Sequence, residues 1–260
     1  MIAGARPQHR DGSPTFGAMA SRPTTPLPGL VLLSLALAAP LAAGRLRAAP
    51  IPLMEPAGMD LLVASGERAD YGPLAEQFLT QANLAYCGVA SAAMVLNSLA
   101  VPAPAVPGYG RYRFWTQENV FEVPAGRTVV SAEVVRRQGM TLAELAGLLA
   151  AHGVAAEAIH GDQLSLEQFR TLLRANLSQP GDRLLANYLR PSLGQAGGGH
   201  IAPLAAFHAP SDRVLILDVA RYRYPSVWVP VADLWKAIRT LDSTSGRSRG
   251  LVTIRRTSGA

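Results

Sequence analysis

Signals for helix come first along this chain and signals for strand come second, and that order limits the folds available to it. Thr141 with Glu144, and Ser165 with Gln168, match capping boxes ahead of apolar runs. Residues 141–153 and 165–177 therefore read as helices, the first stopped by Gly153. Residues 81–100, QANLAYCGVASAAMVLNSLA, carry small and apolar side chains on every face, the pattern of a buried helix from about Gly88 to Leu99. Beyond them, LLANYLR, IAPLAAF, RVLILDV and GLVTIR are short runs of strand composition with turn residues between. Helices followed by strands, rather than alternating with them, predict an α+β domain whose antiparallel sheet packs on the helix containing Cys87. Residues 50–80 read as a Pro-containing approach in which only PLAEQFLT is weakly helical, and 100–128 as a long loop of the kind that is often functional.

The first 49 residues differ from the rest. Leu27 to Ala43 is apolar but broken by Pro40, and GRLRAAP follows, so the segment resembles a secretory leader more than a membrane span. Met19 opens a compact basic start of its own and is an alternative first residue; cleavage after Ala38, Ala43 or Gly44 fits, and a retained anchor is the competing reading. The expectation is an exported, periplasmic protein with one catalytic domain over 50–260. No window holds the 18 or more uninterrupted apolar residues of a lasting span.

With 49% hydrophobic and 16% charged residues, the chain carries a core and is not disordered. The formal charge of +6 suggests nucleic acid until it is located: five arginines against Asp11 lie within residues 1–49, and the remainder is nearly neutral. Nucleic-acid binding is thereby disfavoured, because no basic stripe interleaved with aromatics remains. One cysteine makes neither an internal disulfide nor a thiolate-rich zinc site. Cys87 is free, buried or chemically used.

Cys87 follows Tyr86 at the expected start of a helix, where unpaired N–H groups and the positive end of the dipole favour a thiolate. A small hydrophobe in the core is the plainer reading of a lone cysteine. In GGGHIAPLAAFHAPSDRVLILDVARYRYP, two strand-like runs flank the turn residues 209–212. A hairpin about that turn pairs residues whose numbers sum to about 420 and makes His200 and Asp218 near cross-strand neighbours. A carboxylate that orients an imidazole, which in turn takes the proton of a thiol, activates a cysteine nucleophile; a histidine at a strand start with an aspartate capping the far end is the alternative. Glycines 197–199, Gly199 foremost, would let a substrate backbone pass close to His200. Gln81, six residues before Cys87, is either an exposed loop residue or a donor to an oxyanion. His152, His160 and His208 lack metal-ligand spacing, so no built metal site is expected.

QANLAYCGVAS, then GGHIAPL, LILDVARYRYP and VWVPVADLWKAI, in that order over about residues 70–256, resemble the phytochelatin synthase family. The resemblance implies a papain-like fold and a Cys87 that attacks the Cys–Gly bond of glutathione, releasing glycine. The γ-glutamylcysteinyl group then passes to water or to a second glutathione. It also implies His200 as base and acid, Asp218 as orienting carboxylate, Gln81 as oxyanion donor, and Arg221, Tyr224, Asp242, Arg249, Tyr86 and Gly199 around the substrate. Cadmium or zinc would arrive as a glutathione thiolate, and a homodimer is a candidate assembly. Eukaryotic members carry further cysteines beside the nucleophile and a Cys-rich extension; this chain has Cys87 alone, like the short bacterial type, so deglycylation ranks before chain extension. A papain-like peptidase and a non-catalytic binder of glutathione or its metal thiolates are the competing functions.

Overall fold

The computed structural model describes residues 49–257, so the expected leader and its alternative start at Met19 lie outside the described residues, apart from Ala49. In chain order the first half holds β1 (Ile51–Pro52), α1 (Pro56–Ala64), α2 (Tyr71–Glu76), α3 (Cys87–Ser98), α4 (Pro124–Arg127), α5 (Ala132–Gln138) and α6 (Leu142–Ala150). The second half holds β2 (Val154–His160), α7 (Leu166–Leu177), β3 (Asp182–Leu189), β4 (Gly199–His208), β5 (Arg213–Ile216), β6 (Val227–Pro230), α8 (Val231–Ile238), β7 (Leu241–Asp242), β8 (Arg247–Ser248) and β9 (Gly250–Arg256). Seven strands form one antiparallel sheet in the order β1-β6-β5-β4-β3-β9-β2, and β7 and β8 form a separate small hairpin. Alternation along β3 sends Leu184, Ala186 and Tyr188 to a core shared with α7 and α8, and Leu185 to the larger core around α3 and α6. The fold is thus mixed helix and antiparallel sheet, as the order of signals predicts.

That order is corrected at the two sheet edges. β1 precedes every helix and β2 falls between α6 and α7. β2 reads VAAEAIH, too rich in alanine to carry a strand signature, yet it pairs with β9 over seven residues; tertiary pairing overrides weak local propensity here. α1, α4, α5 and α8 are helices beyond those expected, and α4 lies inside the stretch 100–128 that reads as a long loop. Both predicted capping boxes are present, on α6 and α7.

The β4–β5 hairpin turns through residues 209–212, as read from the sequence. His208 pairs with Arg213 and Phe207 with Val214, and the register slips between Leu204 and Ala206. This bulge switches which face each residue takes, so that Ala205 and Ala206 both reach the α3 side while Leu204 and Phe207 reach the other. Leu217 N–H donates to Pro203 O at 2.9 Å, which carries the pairing on toward His200 and Asp218.

α3 lies against β4 because its side chains are small. Ala90, Ser91, Ala92 and Ala93 are fully buried, and Ser91 Oγ donates to Ile201 O at 3.3 Å. The far end of α3 is held by Arg183, itself buried, which donates to Ser98 O at 3.0 Å and to Asp70 Oδ1 at 3.0 Å. Removing one partner of such a buried pair costs about 3–5 kcal/mol. The helix that carries Cys87 at its first residue is therefore fixed at its opposite end.

Candidate active site

Cys87 opens α3, and Tyr86, its N-cap residue, supplies no side-chain cap. The N–H groups of the first turn consequently face the sulfur's surroundings instead of a capping oxygen. The Cys87 thiol is half-buried and within hydrogen-bond reach of His200. Burial alone would push it up, but the hydrogen bond and charge of His200, with the backbone N–H groups of Ile201 and Gly88, bring it below the ordinary thiol range.

His200 turns Nε2 to Asp218 Oδ1 at 2.8 Å, which leaves Nδ1 for the sulfur. Its imidazole is held above its ordinary value: burial opposes this, and Asp218 and Cys87 outweigh burial. Asp218 is fully buried, yet it is pulled down to about 2, because the hydrogen bond and charge of His200, followed by those of Arg190, overcome the burial that would raise it. Ala220 N–H also donates to Oδ1 at 2.9 Å. The three groups form a chain in which Cys87 is shifted down and His200 up, both in the direction that favours a thiolate beside an imidazolium.

Arg190 is the participant that sequence reasoning missed. It is buried, its Nη2 donates to Asp218 Oδ1 at 3.0 Å, and its Nη1 lies 2.8 Å from Oδ2. Nη1 also donates to Gln195 Oε1 at 2.6 Å, and the guanidinium lies over the Tyr224 ring at 4.9 Å. Read as the polar end of LLANYLR, an arginine looks exposed; the weak signal for it was its place immediately before Pro191, where the strand must stop. Tyr188, also unforeseen, packs T-shaped on the His200 ring at a centroid distance of 5.6 Å.

Cys87 and His200 line a cavity of about 660 Å³. Of the substrate residues that the family resemblance implied, Gly199, Asp242 and Arg249 line it too. Arg249 donates to Asn187 Oδ1 at 2.9 Å and lies 3.6 Å from Asp242 Oδ1, so an acidic and a basic group stand side by side in the wall. A Cβ at Gly199 would come within 2.2 Å of Arg249 Nη1, so the glycine lets the guanidinium lie where it does.

The others sit elsewhere. Tyr86 buries its ring against Phe121, at 6.2 Å between centroids. Arg221 bonds the Thr80 hydroxyl and lies over Phe78, and Tyr224 accepts from Ala196 N–H at 2.7 Å; neither lines the Cys87 cavity. Gln81 is buried, and its Nε2 donates one hydrogen to Asn83 O at 2.6 Å and keeps the second. Among the described residues no group of three or more His, Cys, Asp or Glu is placed to hold a metal, and no helix is long and apolar enough to cross a membrane.

An α+β fold with a helix-borne thiol, a strand-borne imidazole and a buried carboxylate in hydrogen-bond series places the chain among proteins with a cysteine–histidine–aspartate site. The family model described as Phytochelatin synthase matches residues 43–251, and the chain belongs to that family. Three curated relatives carry the name glutathione gamma-glutamylcysteinyltransferase. That of Triticum aestivum is 36% identical over 187 residues, 72% of this chain and 36% of its own length. One from Lotus japonicus is 32% identical over 194 residues, 75% of this chain and 37% of its own length. That of Schizosaccharomyces pombe is 30% identical over 187 residues, 72% of this chain and 44% of its own length. The chain thus spans about two-fifths of the length of these relatives. Among solved structures, a double glycine motif protease from an AMS/PCAT transporter in complex with the leader peptide is similar at a TM-score of 0.35 and 17% identity, over 69% of this chain and 91% of that one.

Proposed function

We propose that the protein is a papain-like acyl-transfer enzyme of glutathione, in which Cys87 cleaves the Cys–Gly bond and passes the γ-glutamylcysteinyl group mainly to water and secondarily to another glutathione. The observation that carries this reading is the series Cys87–His200–Asp218 at a cavity whose wall presents Asp242 and Arg249. Glutathione offers an α-amino group and carboxylates, complementary to an aspartate and an arginine. A protein that merely bound glutathione would need no base oriented on its cysteine.

In this reading the steps are as follows. The Cys87 thiolate attacks the carbonyl carbon of the Cys–Gly bond, and the negative charge moves to its oxygen. In this reading the donors for that oxyanion are the N–H of Cys87, at the start of α3, and Gln81, the role that the family resemblance implies for it. The C–N bond breaks, His200 gives its proton to the departing nitrogen, and glycine leaves a thioester on Cys87. Water attacks the thioester, His200 takes the proton, the C–S bond breaks, and the thiolate–imidazolium pair returns with γ-glutamylcysteine released. Cadmium or zinc enters as a thiolate complex of the substrate in this reading, and export by the leader gives a periplasmic setting.

The test is to incubate the protein, and its Cys87→Ser variant, with glutathione in the presence and absence of cadmium or zinc, and to resolve the products by mass. Glycine with γ-glutamylcysteine from the parent and none from the variant supports the proposal. Equal behaviour of the two overturns it and favours the binding reading.

A further inference from the structure

The cavity beside Cys87 has two walls of different character. One carries Asp242, on β7 of the small hairpin, and Arg249, which lie 3.6 Å apart while Arg249 also donates to Asn187. The other is the C-terminal end of α5 with the residues just after it. Gly139, at a φ of 78°, turns the chain there, and Met140 packs on the first turn of α3, its Sδ 3.5 Å from where a Gly88 Cβ would stand. This packing brings Arg136 and Arg137 into the cavity wall. Both face Glu133, at 3.5 and 2.8 Å, so two guanidinium groups meet one carboxylate. Both line the cavity and stay exposed, at 61% and 67%.

Resting on the glutathione reading above, we propose that Arg136 and Arg137 form the subsite for the amine partner of acyl transfer and read the carboxylate one carbon from that amine. The leaving glycine has this arrangement, an amine and a carboxylate on the same carbon. So has the γ-glutamyl end of a second glutathione. By microscopic reversibility an incoming amine enters where the leaving amine departs. One subsite therefore serves both, and the acceptors form a chemical class, the α-amino acids and peptides that begin with a γ-linked one, and not amines in general. In the return step the unprotonated amine attacks the thioester carbonyl. The C–N bond forms, the C–S bond breaks, His200 takes the proton from nitrogen, and the thiolate leaves. Water carries no carboxylate, so the subsite sets the division between transfer and hydrolysis.

The experiment supplies the full chain with glutathione and isotopically labelled glycine, and follows both label entering glutathione and γ-glutamylcysteine formed; glycinamide, which lacks the carboxylate, is the comparison acceptor. The expected result is that glycine is used and glycinamide is not. Replacing Arg136→Gln and Arg137→Gln together should lower the ratio of labelled glutathione to γ-glutamylcysteine by about three- to tenfold, the worth of two exposed charge contacts. A merely structural role would slow both products and leave their ratio in place. An unchanged ratio in the double variant, equal use of glycinamide by the parent, or no label return at all while γ-glutamylcysteine forms would overturn the proposal. Failure of the parent to form any γ-glutamylcysteine would instead remove the glutathione reading on which it rests.

Discussion

Replacing Asp218→Asn should raise the apparent pKa of Cys87, 131 residues away in the chain, by about one unit, and the structure gives the size. Asp218 is pulled from 3.8 to about 2 in spite of full burial. At about 1.4 kcal/mol per unit, its neighbours favour the ionised carboxyl by about 2 kcal/mol net. His200 is the larger favourable contributor, ahead of Arg190, so about 1 kcal/mol or more belongs to the carboxylate–imidazolium pair. Taking it away weakens the imidazolium about tenfold, and the thiolate that the imidazolium supports falls with it. Cys87 is the only cysteine in the chain, so the rate of alkylation by iodoacetamide against pH reports on that thiol alone. The parent should titrate below the ordinary thiol range, and the variant about one unit higher. Asp218→Asn also leaves Arg190 buried without its counter-ion, a loss that costs about 3–5 kcal/mol. The double variant Asp218→Asn with Arg190→Gln removes both charges and keeps the test open if the single variant melts. An unchanged titration in a folded variant would refute the reasoning.

Three further outcomes follow from the same geometry. Gly199→Ala should displace the Arg249 guanidinium, which stands 2.2 Å from the new Cβ, and raise the KM for glutathione several-fold with a smaller change in kcat; steady-state kinetics would check it, and a kcat loss at constant KM would contradict it. Gln81→Ala should lower kcat by about 10²-fold or more through loss of an oxyanion donor, with substrate binding retained; a parent-like kcat would remove Gln81 from that role. Stability should also depend on pH through both partners of the triad. Asp218 is depressed on folding, so its contribution is fully present above its unfolded value of 3.8 and is lost as pH falls through about 2. His200 is raised on folding, so its contribution is present below 6.5 and is lost as pH rises through its folded value. Thermal melts of the parent should therefore fall off on both sides; the acid loss attributed to Asp218 should be missing in the double variant.

Cys87, His200 and Asp218 could be brought together on paper because the information that joins two of them is local. A turn at 209–212 between two apolar runs sets a hairpin register, and register alone puts a histidine beside an aspartate. The bulge between Leu204 and Ala206 was not legible, since nothing in LAA marks an extra residue. Arg190 was invisible for another reason: its burial is produced by Asp218, 28 residues later, and by Tyr224, and no local pattern distinguishes a paired arginine from a solvated one. β2 escaped because alanines do not advertise a strand, and its seven pairs with β9 lie about a hundred residues apart in sequence. The family resemblance supplied Asp242 and Arg249, which the fold brings to the cavity, and also Tyr86, Arg221 and Tyr224, which it places outside that cavity. Such residues reach a site only through tertiary packing that a motif does not encode.

The central claim is that Cys87 carries the acyl group of glutathione. The measurement that tests it most directly is the mass of the intact protein quenched in acid during turnover of glutathione. A γ-glutamylcysteinyl adduct on the parent, absent in Cys87→Ser and accompanied by free glycine, is the predicted result. Glycine release with no adduct on Cys87, or release that survives Cys87→Ser, would contradict it.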